Sequence, residues 1–145
     1  MRTGIFKATL LSLALLAGNS WAGGGSPQVN YMLHCSGCHG AEGAGSPSDG
    51  IPDMRGALGH FLKAPGGREF LIQVPGTSQA SLGDADVAVL MNWMLKRFSP
   101  AEVPAGTPPY TEAEVRRLRA APLADVPAVR GRIVAALKAQ GISID

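Results

Sequence analysis

Apolar residues recur at spacings of three and four in two parts of the chain. Val87, Leu90, Trp93 and Met94 form one such stripe behind Asp84, and Val126, Val129, Ile133, Val134 and Leu137 form another behind Asp125. Each pattern predicts an amphipathic helix with one buried face, opened by an aspartate able to accept hydrogen bonds from first-turn amides. Thr111-Glu112-Ala113-Glu114 has the form of a capping box and predicts a further short basic helix through Arg119. Between them Ser99 to Pro109 carries Pro100, Pro104, Pro108 and Pro109, which forbids a helix and predicts a linker. Every element read from these patterns is a helix, in keeping with an all-α fold.

A third apolar stretch has a different character. Arg2 and Lys7 flank an apolar run, with no acidic residue from Ile5 to Ala17, that ends in Ser20-Trp21-Ala22. That is the layout of a cleaved export segment, with the cut after Ala22. The most apolar part, Ala8 to Ala17, is short against the roughly 20 residues that span a bilayer, so no stable membrane span is expected after removal. The domain plan is then an export segment over residues 1–22, a main domain over 23–98, a Pro-rich linker over 99–110 and a helical extension over 111–145.

Removing the export segment changes the charge balance. The whole chain carries 13 Lys and Arg against 11 Asp and Glu; without Arg2 and Lys7 the counts are equal at 11. A neutral chain gives no basis for nucleic-acid binding, and the arginines at 116, 117, 119, 130 and 132 are read as a solvated face. The 19 glycines and 11 prolines predict short elements and long loops, a composition that calls for an internal staple.

Cys35-Ser36-Gly37-Cys38-His39 supplies a candidate staple. Two thiols separated by two residues can each form a thioether to one edge of a haem, and the adjacent imidazole can then bind the iron. A thioredoxin-type pair would follow a buried strand, for which Gly23 to Pro27 leaves no room, and a zinc site would need a second ligand pair that the chain lacks. A plain disulfide or thiol switch would leave His39 without a role. Haem c with its iron is therefore the expected cofactor, one per chain, held by Cys35 and Cys38 with His39 as the proximal axial ligand.

From Ser26 to Phe98 the chain resembles class I c-type cytochromes, small helical folds built around one covalent haem. Tyr31 stands four residues before Cys35, where that family places an aromatic. Leu82-Gly83-Asp84 resembles the opening of its last helix, and Ile51-Pro52-Asp53-Met54-Arg55-Gly56 resembles its Gly-Pro-x-Leu-x-Gly loop. The resemblance implies a cytochrome c-like helical fold with the C-terminal two-helix region as an addition. It also implies contact between Tyr31 and Trp93 at a helix crossing, and a hydrogen bond from the ligating His39 to the Pro52 carbonyl that would orient the ring.

One part departs from the family. Its methionine ligand comes from the loop before the last helix, whereas Gln73 to Ser81 contains neither methionine nor histidine. The distal ligand is therefore open, with candidates His60, Met94 and Met54, and Met91 as a weaker one; His34 is tied to the proximal side. The expected function is a periplasmic carrier passing single electrons from a dehydrogenase towards an oxidase or another cytochrome. The alternative is a haem enzyme or gas sensor with an open iron position.

Overall fold

A computed structural model describes residues 25–144; the export segment expected over residues 1–22 lies outside the described residues. Among these, the chain forms helices joined by loops and 3-10 turns, with no strand and a single isolated bridge between Ser46 and Ile51. No described helix is long and apolar enough to cross a membrane.

The first helix, α1 (Pro27–His34), starts where Ser26 accepts a hydrogen bond from the Val29 amide at 3.3 Å and Pro27 takes the first helical position. Cys35 ends α1, and its carbonyl accepts from the His39 amide at 3.0 Å to close the single turn α2 (Ser36–His39). A 3-10 turn over Leu58–Lys63 leads into α3 (Gly67–Gln73). Gly67 permits that junction, because a Cβ there would lie 1.9 Å from the Phe61 carbonyl oxygen. The stretch expected as a plain loop contains another helical turn, α4 (Pro75–Ser78), started by Pro75.

The longest helix, α5 (Asp84–Phe98), buries Val87, Leu90 and Met94 as its stripe predicts, but also Ala88, Met91, Leu95 and Phe98, while Trp93 is half-buried. Its cap differs from expectation. Gly83 is the N-cap and makes no side-chain bond; Asp84 lies inside the first turn, where its charge suits the helix dipole and pairs with Arg119 at 2.9 Å. The expected caps of the last two helices are in place. Thr111 accepts from the Glu114 amide at the start of α6 (Glu112–Arg119), and Asp125 accepts from the Ala128 amide at the start of α7 (Val126–Lys138).

The core is continuous. α1 crosses α5, α6 packs on α5 and α3, and α7 packs on α3 and the 58–63 turn, so Val115, Leu118, Ile133 and Leu137 join the same cluster as Tyr31 and Phe98. Burying a leucine such as Leu137 is worth about 1.5–3 kcal/mol, so the extension is bound to the body by ordinary core energies.

The segment expected as a linker is likewise fixed. The Ser99 hydroxyl is buried, accepting from the Gly59 amide at 2.9 Å and donating to Glu102 at 2.8 Å. Asn92 on α5 exchanges hydrogen bonds with both backbone groups of Tyr110, at 2.8 and 3.0 Å. The Tyr110 hydroxyl donates to the Arg68 carbonyl at 2.7 Å, and the Arg68 guanidinium lies 4.0 Å from the Tyr110 ring centre while binding both oxygens of Glu114.

Candidate functional site

Cys35, Cys38 and His39 follow one another around a single helical turn, at the i, i+3 and i+4 positions that share a face. Both cysteines are free thiols, Cys35 half-buried and Cys38 exposed. Burial, and then the neighbouring Cys38, push the Cys35 thiol above its usual range. The His39 ring Nδ1 is buried without a hydrogen-bond partner. Leaving such a group unpaired costs about 1–3 kcal/mol.

The chain after His39 folds back over it. The Gly45 amide donates to the His39 carbonyl at 2.9 Å, the Met54 amide donates to the Gly43 carbonyl at 2.8 Å, and the Ser46–Ile51 bridge closes the loop between them. This brings the Pro52 carbonyl against Gly45, where a Cβ would lie 2.4 Å from its oxygen. The bond anticipated from His39 to that carbonyl is not formed, since Nδ1 has no partner. Pro52 is next to the loop that follows His39 but not bonded to its ring.

Tyr31 and Trp93 meet where α1 crosses α5, with ring centres 5.7 Å apart, and Phe98 completes the group at 5.0 Å from Tyr31 and 5.7 Å from Trp93. The Tyr31 hydroxyl donates to the Gly40 carbonyl at 2.6 Å, tying this aromatic cluster to the residue after His39. Burial above all, with the nearby Cys35 second, pushes the phenol up to about 12. Phe98 escaped the sequence reading because it lies one turn beyond the stripe that ends at Met94; continuing the helical spacing from Met94 by four residues would have found it.

A narrow crevice runs beside Cys35. One wall is the face of α5 carrying Val87, Leu90, Met91 and Met94; the other is Gly76 and Thr77 of α4 with Ala80 after it. Cys35 alone of the three lines this crevice, with Cys38 and His39 on the same helical turn; two free thiols and an imidazole beside an apolar lining are the donor chemistry that haem requires, so the residues present fit that group. Among the described residues no group of three or more His, Cys, Asp and Glu side chains, those of this turn included, is gathered so as to hold a metal ion by itself.

Of the candidates for the iron's distal side, Met94 lines the crevice. Met91, judged the weaker from its position on the helix, lines it equally, because the buried face of α5 is broader than the stripe suggested. Met54 is buried in the core outside the crevice. His60 points to Lys63, whose ammonium lies 3.1 Å from Nδ1; burial first and Lys63 second lower its affinity for a proton.

Arg119, expected on a solvated face, is instead one of the most heavily engaged side chains. It donates to the carbonyls of Ser78, Ala80 and Leu82 and to Asp84. No signal in the local sequence separates it from Arg116 and Arg117, because the difference lies in what the helix packs against.

No family model matches the chain, and no solved structure matches it. The chain is 30% identical over 132 residues to a cytochrome c-552 of Thermus thermophilus, a match covering 79% of this chain and 87% of that protein. A second Thermus thermophilus cytochrome c-552 is 30% identical over 110 residues, covering 63% of this chain and 83% of the relative.

Proposed function

Because the chain belongs to the c-type cytochromes, proteins that carry covalently bound haem and transfer electrons, we propose that it is an exported, class I-like carrier with a single haem attached at Cys35 and Cys38. The observation that carries the reading is the conjunction at α2: two free thiols and a histidine on one helical turn, with Cys35 lining an apolar crevice.

In this reading the Cys35 and Cys38 sulfurs would hold the haem covalently and His39 would bind its iron. Haem c supplies one-electron chemistry when bound. The polypeptide's part is to hold that chemistry still and dry. Val87, Leu90, Met91 and Met94 keep water from one side of the crevice, and the Tyr31–Trp93–Phe98 cluster locks α1 and α5 so that the cysteine turn does not move. A site that changes little between charge states suits single-electron transfer. Residues 23–98 make up the haem unit and residues 111–145 its extension. The donor is a dehydrogenase and the acceptor an oxidase or another cytochrome, with both encounters in the periplasm.

A specific observation favours a second reading of the distal side. The crevice wall facing α5 consists of Gly76, Thr77 and Ala80, none of them a strong iron ligand, so only the thioethers of Met91 and Met94 face the crevice as soft donors. If neither residue held the iron, the group would also take up small gases.

One preparation tests both. The full chain is exported in a host with haem-attachment machinery, and its spectrum is taken after denaturation in alkaline pyridine. We expect a c-type band that resists extraction and one haem of added mass per chain, lost on His39→Ala together with the native spectrum and reduced on Cys38→Ser. A haem-free product with a Cys35–Cys38 disulfide would overturn the assignment. Carbon monoxide added to the ferrous protein decides the distal side. A prompt spectral change indicates an open site; none in the parent but one in Met94→Ala or Met91→Ala identifies the ligand.

A further inference from the structure

The crevice has an inner lining, and one of its walls is held from outside. Gly76, Thr77 and Ala80 belong to residues 73–84, which include α4 and lead into α5. Within this stretch α4 is a single turn, and the backbone after it is irregular, so several carbonyls have no helical partner. Arg119, the last residue of α6, satisfies three of them. Arg119 Nε donates to the Ser78 carbonyl at 2.9 Å, one terminal nitrogen to the Ala80 carbonyl at 2.7 Å, and the other to the Leu82 carbonyl at 2.8 Å and to Asp84 at 2.9 Å.

The opposite end of the same stretch is pinned by the residues that follow Arg119. The Gln73 side-chain amide donates to the Ala121 carbonyl at 2.9 Å, and the Leu123 amide donates to the Gln73 carbonyl at 3.1 Å. Residues 119–123 thus bracket the wall at both ends. Asp84 is shared with Arg116 at 3.4 Å, which orients its carboxylate towards α6. A planar guanidinium with donors in a fixed fork can serve three carbonyls and a carboxylate at once; a lysine ammonium is a single compact point charge and cannot span them.

We propose that residues 119–123 of the C-terminal extension brace the wall of the haem crevice opposite α5, with Arg119 as the positioning residue that keeps Gly76, Thr77 and Ala80 in place against the cofactor. This rests on the haem assignment at Cys35, Cys38 and His39. It gives the extension a task in tuning the site: with the brace intact the wall excludes water, and with the brace gone water reaches the haem, which favours the more charged oxidised iron and lowers the reduction potential.

The test uses the full-length, haem-loaded protein and two measurements, amide hydrogen exchange at residues 76–83 and the reduction potential by spectroelectrochemistry. Arg119→Ala should speed exchange across 76–83 by about tenfold or more, since several charge-assisted bonds are lost, and should lower the potential. Arg119→Lys should restore neither. Arg68→Ala removes an equally well-bonded guanidinium, one that holds Glu114 and the Pro108 carbonyl but nothing in 73–84, and should leave both readings at the parent value. Parent-like exchange and potential in Arg119→Ala would overturn the brace, as would the same change in Arg68→Ala, because that would be general loosening. A haem-free chain would refute the cofactor assignment instead, and its exchange at 76–83 would still report on Arg119.

Discussion

Gly45 offers the sharpest test of how the loop after His39 is built. Its φ is +63°, in the left-handed region, and a Cβ placed on it would lie 2.4 Å from the Pro52 carbonyl oxygen and 2.5 Å from that of Ile51. Gly45→Ala therefore incurs two separate costs. Holding an alanine in left-handed backbone takes roughly 1–2 kcal/mol. Pushing two carbonyls outward, one of which accepts the Ser46 amide at 2.9 Å, is overpacking of the kind that costs about 1–3 kcal/mol. The total, about 2–5 kcal/mol, is a large share of the 5–15 kcal/mol that stabilises a typical domain. Gly50 separates the two contributions: its φ is +80°, but a Cβ there meets nothing within 4 Å, so Gly50→Ala should show the backbone cost alone. Guanidinium unfolding of the haem-loaded parent and both variants, followed by tryptophan fluorescence and far-ultraviolet circular dichroism, gives the two losses. We expect Gly45→Ala to exceed Gly50→Ala by about 1–3 kcal/mol. It should also shift the visible spectrum, since the Gly45 amide holds the His39 carbonyl. Equal losses in the two variants would mean that the Ile51–Pro52 carbonyls do not press on Gly45, and the account of this loop would fail.

Two further outcomes follow from the charged and phenolic groups. Tyr31→Phe removes the 2.6 Å bond to the Gly40 carbonyl at a cost of about 0.5–1.5 kcal/mol. Because the fold raises the phenol's pKa from 10.0 to about 12, it favours the neutral form, a contribution fully present below pH 10 and lost as the pH rises through about 12; alkaline unfolding curves of parent and variant should therefore converge over that window. Glu114 is held below its ordinary range mainly by its hydrogen bonds from Arg68, so its stabilisation is full above the unfolded value near 4.5 and disappears as the pH falls through the lower folded value. Glu114→Gln should lose about 1 kcal/mol at pH 7 and match the parent in strong acid, read from thermal unfolding at a series of pH values.

Much of the helical architecture was legible because it is written in local chemistry. The capping box at Thr111, the aspartate cap at Asp125 and the stripe from Val87 to Met94 each depend on residues within one or two turns, and each helix stands where its signals put it. The cysteine turn was legible for the same reason, since Cys35, Cys38 and His39 lie within five residues. The failures share a different cause. Asp84 was expected to cap its own helix, but the Arg119 guanidinium, 35 residues away, pairs with it instead. Met91 was ranked the weaker candidate on angle alone, yet α5 is covered on a wider arc than a single stripe because α1, α6 and the 58–63 turn all pack on it.

By itself the sequence determined the thiol pair with its histidine, the equal numbers of acidic and basic side chains beyond residue 22, the main helices and the absence of a methionine between Gln73 and Ser81. The tertiary structure alone decided that the Pro-rich stretch is fastened down through Ser99 and Tyr110, that Met91 and Met94 both face the crevice, and that Arg119 belongs to its far wall rather than to solvent. The physical reason is range. Caps and helical periods arise between neighbours along the chain, whereas the partners of Ser99, Asp84 and Arg119 are carbonyls, amides and carboxylates brought near only when apolar faces from distant helices close on one core.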